Sequence, residues 1–297
     1  MASTYLTLVN NVLRDFNEVE LTSSNFTSSR GVQTAVKDYV NRSITDVINS
    51  ELNWPFTRAA GSVDVIAGKS LYSHASIASN LKYVDYDTMF LRPKDYITNG
   101  DFEIDGSASI TNWTAVSGTP VASSKFGNTL LLTNAEASQE VTDLIVGRSY
   151  VVVTQTSGAT LTLEIGTSSG GSQTKSATLT IASGNEVALT ETTFTATATT
   201  HYVSFTEAAG SAAYVKLVEL SENVLPIPLK YLSYEEYNDA FRERDTRPDT
   251  DKFADPEYVY TTYNDEIGLT PIPDTSNRTL EFDYYVSHTD LSGATDT

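Results

Sequence analysis

The residues best suited to catalysis are scattered in this chain. Its three histidines, His74, His201 and His288, lie in different segments, at spacings that suit neither a metal site nor a nucleophile–base pair. Cysteine is absent, which excludes disulfides, thiolate metal sites and cysteine catalysis. The Ser-Gly-Gly-Ser run at 169–172 is not a phosphate loop, because it precedes no Gly-Lys-Thr and opens no helix. We therefore expect a protein that is not an enzyme.

Carboxylates are the one abundant reactive group, with 38 Asp and Glu against 19 Lys and Arg. Two of them could cleave a glycosidic bond, so a polysaccharide-degrading enzyme stays open as the third and least supported alternative. In a chain this acidic, any chosen pair is far more often surface charge. The net charge of −19 disfavours recognition of nucleic-acid phosphates, although it suits a channel through which DNA slides without sticking.

Other residues are candidates for binding rather than catalysis. Trp113 could stack on the apolar face of a sugar ring, or it could be a core aromatic of a β-sandwich. Tyrosine, with 17 copies, suits protein interfaces because it offers a large contact area with few rotatable bonds. Six charged residues are our candidates for a subunit or portal interface: Lys37, Asp38, Arg42, Asp46, Arg242 and Arg244.

The first part of the chain predicts a pair of amphipathic helices. Apolar residues repeat at helical spacing over 3–18 and again over about 29–52, and Pro55 stops the second pattern. The short polar link between them favours an antiparallel hairpin. At about 1.5 Å per residue the second helix would be roughly 35 Å long, which is long for the small domain that it opens. It therefore needs a partner helix or a partner subunit.

The rest of the chain predicts mainly β structure. Residues 62–72 suggest a β-hairpin, and at least seven short strands over 98–223 predict an inserted all-β jelly-roll sandwich. A short helix capped by Ser233, a hairpin over 258–272, a strand over 279–286 and an unstructured polar end complete the chain. The fold class is therefore α+β, with one domain formed by 1–97 and 224–297 and interrupted by the sandwich.

Seven segments outside the sandwich form an ordered set: YLTLVNNVLR (5–14), NEV (17–19), VKDYVNR (36–42), NWPF (53–56), DTMFLRP (87–93), KYLSYEEY (230–237) and FDYY (282–285). In order and spacing they resemble the tail adaptors of short-tailed phages, the head-to-tail connector or tail tubular protein A-like family. The resemblance implies a virion structural protein that forms a ring, commonly of twelve copies. That ring would connect the portal protein to the tail nozzle protein and form part of the DNA channel.

The same resemblance implies a location in the neck of the virion after assembly in the host cytoplasm. DNA would pass through the ring without specific recognition. Membrane insertion is not expected, because no apolar run reaches 18 residues.

The segment NGDFE at 99–103, followed by Asn112-Trp113, is similar to the opening of carbohydrate-binding modules of the galactose-binding jelly-roll type. This resemblance implies a surface glycan bound at Trp113 and a structural calcium ion held by Asp101, Glu103 and Glu219. It supports the alternative function, a glycan-binding module mounted on a virion or cell-surface assembly. No other cofactor is expected.

Overall fold

A computed structural model gives the fold and describes residues 3–51, 54–103, 110–180, 187–247, 252–287 and 290–296. Most of the regular structure in these residues is β-sheet. The chain forms two compact units. The first consists of Met1–Phe90, Pro228–Thr275 and Leu280–Thr297, and the second of Leu91–Ile227 and Ser276–Thr279. In the described part of the chain, no helix has the length and apolar character needed to cross a membrane.

The described residues include five α-helices: α1 Tyr5–Asp15, α2 Val32–Ser50, α3 His74–Ile77, α4 Tyr234–Ala240 and α5 Arg242–Thr246. The first strands of the chain are β1 Arg58–Asp64, β2 Leu71–Ser73, β3 Leu81–Pro93, β4 Thr114–Ser117, β5 Val121–Ser123 and β6 Thr129–Leu132. The next are β7 Ala135–Val141, β8 Ser149–Gly158, β9 Leu161–Gly166, β10 Lys175–Leu179, β11 Ala188–Thr195 and β12 His201–Glu207. The last are β13 Ala213–Glu222, β14 Ile227–Pro228, β15 Lys230–Leu232, β16 Tyr258–Thr261, β17 Glu266–Thr270 and β18 Arg278–Val286.

The helical hairpin formed by α1 and α2 has a small core of its own. Tyr5, Val9 and Leu13 recur every four residues along α1 and are buried, because this spacing places them on one face of the helix. The Tyr5 hydroxyl donates to the Lys37 carbonyl oxygen at 2.9 Å, so the start of α1 lies beside the first half of α2. At 19 residues, α2 is about 28 Å long, and only Val36 of its side chains is buried.

The last described residues pack against this hairpin. The Tyr5 backbone N–H donates to the Asp296 carbonyl oxygen at 2.7 Å. Asn41 pairs with Leu291 in both directions, since its amide donates to the Leu291 carbonyl at 3.0 Å and accepts the Leu291 N–H at 3.2 Å. The expectation of an unstructured end is therefore wrong for Asp296, and Thr297 lies outside the described residues.

The first unit also contains two four-stranded sheets, with the orders β1-β18-β3-β14 and β15-β16-β17-β2. The prediction of a hairpin over 62–72 is wrong, because β1 and β2 belong to different sheets. The Ile66 N–H donates to the Tyr72 hydroxyl at 2.9 Å, so a side chain takes a donor that a hairpin ladder would use. The hairpin predicted over 258–272 is confirmed, since β16 and β17 pair antiparallel. Ser233 and Glu236 form the predicted capping box of α4.

The second unit is a sandwich of two five-stranded sheets, β10-β9-β12-β7-β4 and β11-β8-β13-β6-β5. Side chains alternate along each strand of the sandwich. Leu163 of β9 and Phe205 of β12 therefore point into the core, and their neighbours along the same strand point outward. The predicted β-sandwich is confirmed. The seven strands that the sequence indicates lie at 129–133, 149–154, 161–165, 177–181, 192–197, 202–205 and 213–218, so β4, β5 and β7 are additional.

Candidate functional site

The helical hairpin carries an exposed apolar groove of about 640 Å³, which we call the hairpin groove. Its walls include Leu8 and Val12 of α1, Phe16 directly after α1, and Val32, Tyr39 and Ile44 of α2. Phe16 is 71% exposed, Tyr39 67% and Val32 53%. A contiguous apolar surface of this kind is typical of an interaction site. The stripe that the sequence predicts on α2 is thus largely unburied within the chain.

Three of the predicted interface residues lie on the exposed surface of α2, namely Asp38, Arg42 and Asp46. Lys37 has a different environment. Its ammonium group donates to the Phe26 carbonyl oxygen at 3.0 Å and lies 4.4 Å from the centre of the Phe26 ring. These contacts hold the Lys37 ammonium group against its own hairpin, and its place in an interface stays a prediction.

The predicted interface arginines of the second half also differ from each other. Arg242 is exposed, and its guanidinium lies 3.4 Å from the Asn238 amide oxygen. The Arg244 guanidinium donates to the buried Asp245 carboxylate at 3.0 Å and to the Thr270 hydroxyl at 2.7 Å. The Thr270 hydroxyl in turn donates to Asp245 at 2.7 Å. Arg244 therefore connects α5 to β17 inside one unit, and its place in an interface stays a prediction.

A polar cleft of about 860 Å³ opens in the first unit, and the sequence did not predict it. The rings of Tyr86 and Tyr231 lie 4.7 Å apart in it, and Asp85 and Asp265 contribute carboxylates. Burial raises the pKa of the Tyr86 hydroxyl. The cleft can therefore offer aromatic faces and hydrogen-bond acceptors to a polar group. The pair Tyr83 and Tyr86, which both line the cleft, is the feature of the sequence that could have indicated it.

The histidines form no common site among the described residues. His74 lines the polar cleft, and burial lowers the pKa of its ring. His201 is fully buried beside Phe194, and burial lowers the pKa of its ring as well. His288 lies outside the described residues.

Trp113 is a core residue of the sandwich. It is 8% exposed, and its ring centre lies 5.4 Å from that of Phe102 and 5.8 Å from that of Phe205. Its indole N–H donates to the Asn99 carbonyl oxygen at 3.3 Å. The face of the ring is therefore not available to a sugar. Its prediction as a glycan-binding residue is wrong, and the alternative of a core aromatic is correct.

The predicted calcium ligands do not form an acidic cluster. Asp101 and Glu103 are exposed on either side of Phe102, which takes the buried position, and Glu219 is exposed on β13. The Val218 N–H donates to the Gly100 carbonyl oxygen at 2.9 Å, so the opening segment does reach β13. Across the described ranges, however, no group of three or more acidic or histidine side chains is placed to hold a metal.

The outward side of the β10-β9-β12-β7-β4 sheet, which we call the outer face, is rich in oxygen atoms. Strand alternation places Glu136 and Ser138 of β7 on it, together with Ser204 of β12 and Glu164 of β9. The Gly170 N–H, in the loop 167–174, donates to the Ser204 hydroxyl at 3.2 Å. Burial raises the pKa of the Glu136 carboxyl, and the negative charge of Glu164 raises it further.

Comparison with known proteins gives likenesses to solved structures, and the three described below each match only part of this chain. No family model and no curated protein matches the chain. One similar structure is the enzymatically active domain of tailspike protein 4 of bacteriophage CBA120, at 16% identity and a TM-score of 0.34, covering 43% of this chain and 21% of that chain. A second is the carbohydrate-binding module TmCBM61 in complex with β-1,4-galactotriose, at 18% identity and a TM-score of 0.34, covering 44% of this chain and 99% of the module.

A third similar structure is the carbohydrate-binding module CBM36 in complex with calcium and xylotriose. It is 15% identical, has a TM-score of 0.30, and the likeness covers 37% of this chain and 94% of the module. None of these three structures is a tail adaptor. Each likeness covers less than half of this chain, and we take no function from them.

Proposed function

We propose that the chain is a non-enzymatic structural protein that joins a larger assembly through the hairpin groove. The observation that carries this proposal is the exposure of Phe16, Val32 and Tyr39, each of which is more than half exposed. Removing apolar surface from water contributes about 25 cal/mol per Å². A partner that covers these side chains therefore gains free energy that the isolated chain cannot obtain.

The occupant of the hairpin groove that we propose is a helix from a second copy of the chain. The groove runs between two helices, which is the shape into which a further amphipathic helix packs. Asp38, Arg42 and Asp46 follow one another at four-residue intervals on α2 and alternate in sign. When a second copy of this helix is displaced by one turn, Asp38 of one copy faces Arg42 of the other and Arg42 of the first faces Asp46, so copies of α2 are complementary at these two positions.

For the assembly itself, we propose the neck of a short-tailed phage particle. There the chain would form a closed ring between the portal protein and the tail nozzle protein, commonly of twelve copies. The support is the ordered set of seven sequence segments together with the apolar surface that such a ring would cover. The net charge of −19 suits a channel wall that DNA passes without binding.

The oligomeric state tests this proposal. The purified chain is studied by size-exclusion chromatography with light scattering over a concentration series, alone and with portal-protein rings. We expect the wild type to form a closed oligomer and the Phe16→Ser and Tyr39→Ser variants to shift toward monomer. Asn11→Ser is the matched control, because Asn11 is exposed on α1 outside the groove. A wild type that stays monomeric at every concentration and does not bind portal rings would contradict the proposal.

A second candidate function is glycan binding by the sandwich. The observation that favours it is the outer face, where hydroxyl and carboxylate side chains repeat from strand to strand around one aromatic residue, Tyr202. Hydroxyls and carboxylates pair with sugar hydroxyls, and an aromatic ring packs against the apolar side of a pyranose. In this form of the proposal, the first unit mounts the sandwich on a virion or cell-surface assembly.

A glycan array tests the second candidate. We expect the wild type to retain one class of glycan and the Tyr202→Ala variant to lose it. Thr193→Ala is the control, because Thr193 is exposed on β11 of the opposite sheet. An array without hits for the wild type, or equal binding by the Tyr202→Ala variant, would rule out this site.

A further inference from the structure

Two buried oxygen atoms on β7 lack a hydrogen-bond partner among the described residues. They are Oε1 of Glu136 and Oγ of Ser138. Ser138 is 2% exposed, so water does not reach its side chain freely. The two residues are separated by one position on the strand, which places both side chains on the outer face, roughly 7 Å apart along it. Buried acceptors without partners are unfavourable, and two of them together indicate a ligand.

Further oxygen atoms lie around these two. Ser204 of β12 is directly opposite Ser138 of β7 and Glu164 of β9, and Thr206 of β12 is opposite Glu136 of β7. Glu136 and Glu164 therefore lie on the two strands that flank β12, two residues apart in register. The Glu164 carboxylate accepts from the Thr206 hydroxyl at 3.2 Å through one oxygen. A Cβ built on Gly170 would meet Glu136 Oε1 at 2.5 Å, which places the loop 167–174 directly against the carboxylate.

No positive side chain of the described residues balances these carboxylates on the outer face. Its strand positions include three carboxylates and otherwise hydroxyls and one tyrosine: Thr114, Glu136, Ser138, Glu140, Thr162, Glu164, Ser176, Thr178, Tyr202, Ser204 and Thr206. The loop 167–174 that covers part of the face contains no charged residue. The outer face therefore concentrates negative charge that nothing within it neutralises.

We propose that Glu136 and Glu164 hold a divalent cation on the outer face, with the hydroxyls of Ser138 and Ser204 beside it. Calcium fits this donor set, because it takes six to eight oxygen ligands in flexible geometry and accepts carbonyls and waters among them. Zinc prefers nitrogen and sulfur, which the outer face lacks at the described positions. The site differs in every residue from the calcium site that the sequence resemblance implied at Asp101, Glu103 and Glu219.

Titration of the metal-free protein with calcium chloride tests the proposal. Binding is measured by calorimetry, and the thermal unfolding temperature is measured with calcium and with chelator. We expect calcium to raise the unfolding temperature of the wild type, and Glu136→Gln and Glu164→Gln each to weaken binding by at least tenfold. Both substitutions keep the side-chain volume, so the variants are expected to fold, which circular dichroism checks.

Two controls separate this site from other calcium binding. Glu140→Gln removes an exposed carboxylate from the same face, and Asp101→Asn removes one from the site implied by resemblance. Both variants are expected to bind calcium like the wild type. The proposal is overturned if the wild type shows no calcium binding, or if Asp101→Asn abolishes binding while Glu136→Gln leaves it intact. The proposal is also overturned if acidification stabilises the protein and calcium does not. In that case a proton, and not a cation, compensates the buried charge of the Glu136 carboxylate.

Discussion

Replacing Glu207 by glutamine is expected to lower the free energy of unfolding of the sandwich by about 2–6 kcal/mol. Glu207 ends β12 and is 1% exposed. One carboxylate oxygen accepts the backbone N–H groups of Ala209 at 2.9 Å and Ser211 at 3.2 Å. The other accepts those of Asn134 at 2.6 Å and Gly210 at 3.1 Å. One side chain thus satisfies four backbone donors from two loops.

The magnitude follows from counting those donors. Glutamine has the same shape but keeps one acceptor oxygen, and its NH₂ group faces two N–H donors that then have no acceptor. Each buried donor left unpaired costs about 1–3 kcal/mol, and two such donors give the expected loss. The environment of the carboxylate also predicts a pH dependence. Burial raises the pKa of Glu207, but the four N–H donors together outweigh burial and lower it below the ordinary value.

A folded-state pKa below the unfolded one fixes the sign of this dependence. The stabilisation by the ionised carboxylate is complete above the ordinary glutamate pKa of 4.5, and it is lost as the pH falls through the lower, folded-state pKa. The Glu207→Gln variant should lack this acid-dependent component, because glutamine does not titrate. At neutral pH it should show the full loss of stability.

The assay is urea unfolding followed by the fluorescence of Trp113, in a Trp54→Phe background so that only the sandwich is observed. The series runs at neutral pH and in steps down to pH 3. Glu191→Gln is the matched control, because Glu191 is exposed on β11. A Glu207→Gln variant as stable as this control at neutral pH, or one with the same acid dependence as the wild type, would show that the carboxylate does not stabilise the two loops.

Two further substitutions test the cores of the two units. Gly268→Ala places a Cβ 2.2 Å from Cζ of Tyr260, whose ring stacks on that of Tyr237 with the ring centres 3.6 Å apart. We therefore expect the free energy of unfolding to fall by about 1–3 kcal/mol. Thermal unfolding followed by near-ultraviolet circular dichroism measures the change. An unchanged melting temperature would show that the stack can move aside. Trp113→Ala should destabilise the sandwich by about 3–5 kcal/mol in urea unfolding followed by far-ultraviolet dichroism, since it empties a core position. If Trp113→Ala lowers the free energy of unfolding by no more than a surface substitution does, Trp113 is not a core residue.

Several of the strands that the sequence predicts have large apolar or aromatic residues facing inward. Strands β8 and β12 are of this kind, with Tyr150, Val152, Val203 and Phe205 in the core. Strand β7 escaped prediction because its first inward residues, up to Ala137, are small and its outward ones are charged or polar. It is a strand because β12 and β4 pair with it on either side. Such pairing is a tertiary effect that local propensity does not contain.

Helical periodicity located α1 and α2, but it did not show which side of α2 would be covered. An apolar stripe predicts only that a partner is needed. The eleven residues of α1 cover part of the nineteen of α2, which leaves Tyr39 exposed. Lys37 illustrates the same limit, because its ammonium group contacts a carbonyl that the fold brings to it from Phe26.

The aromatic at 113 shows why candidate sites are harder to predict than strands. A tryptophan can pack in a protein core or can stack on a sugar ring at the surface. The direction of the preceding backbone turn decides whether the indole points inward or outward. Asn112 has a φ of 70°, and the indole that follows it packs between Phe102 and Phe205. The buried oxygen atoms of Glu136 and Ser138 had no sequence signal, because only strand register brings them together with Glu164.

Strand β18 has a consequence for synthesis on the ribosome. It lies between β1 and β3 in its sheet, although more than 180 residues separate β3 from it along the chain. While the polypeptide emerges, the two five-stranded sheets of the sandwich are available before β18 exists, so the sandwich can fold first. Until β18 is made, β1 and β3 each have an unpaired edge, which is the kind of surface that associates wrongly with other chains. The first unit therefore closes last, although its helices are the first segments to be translated.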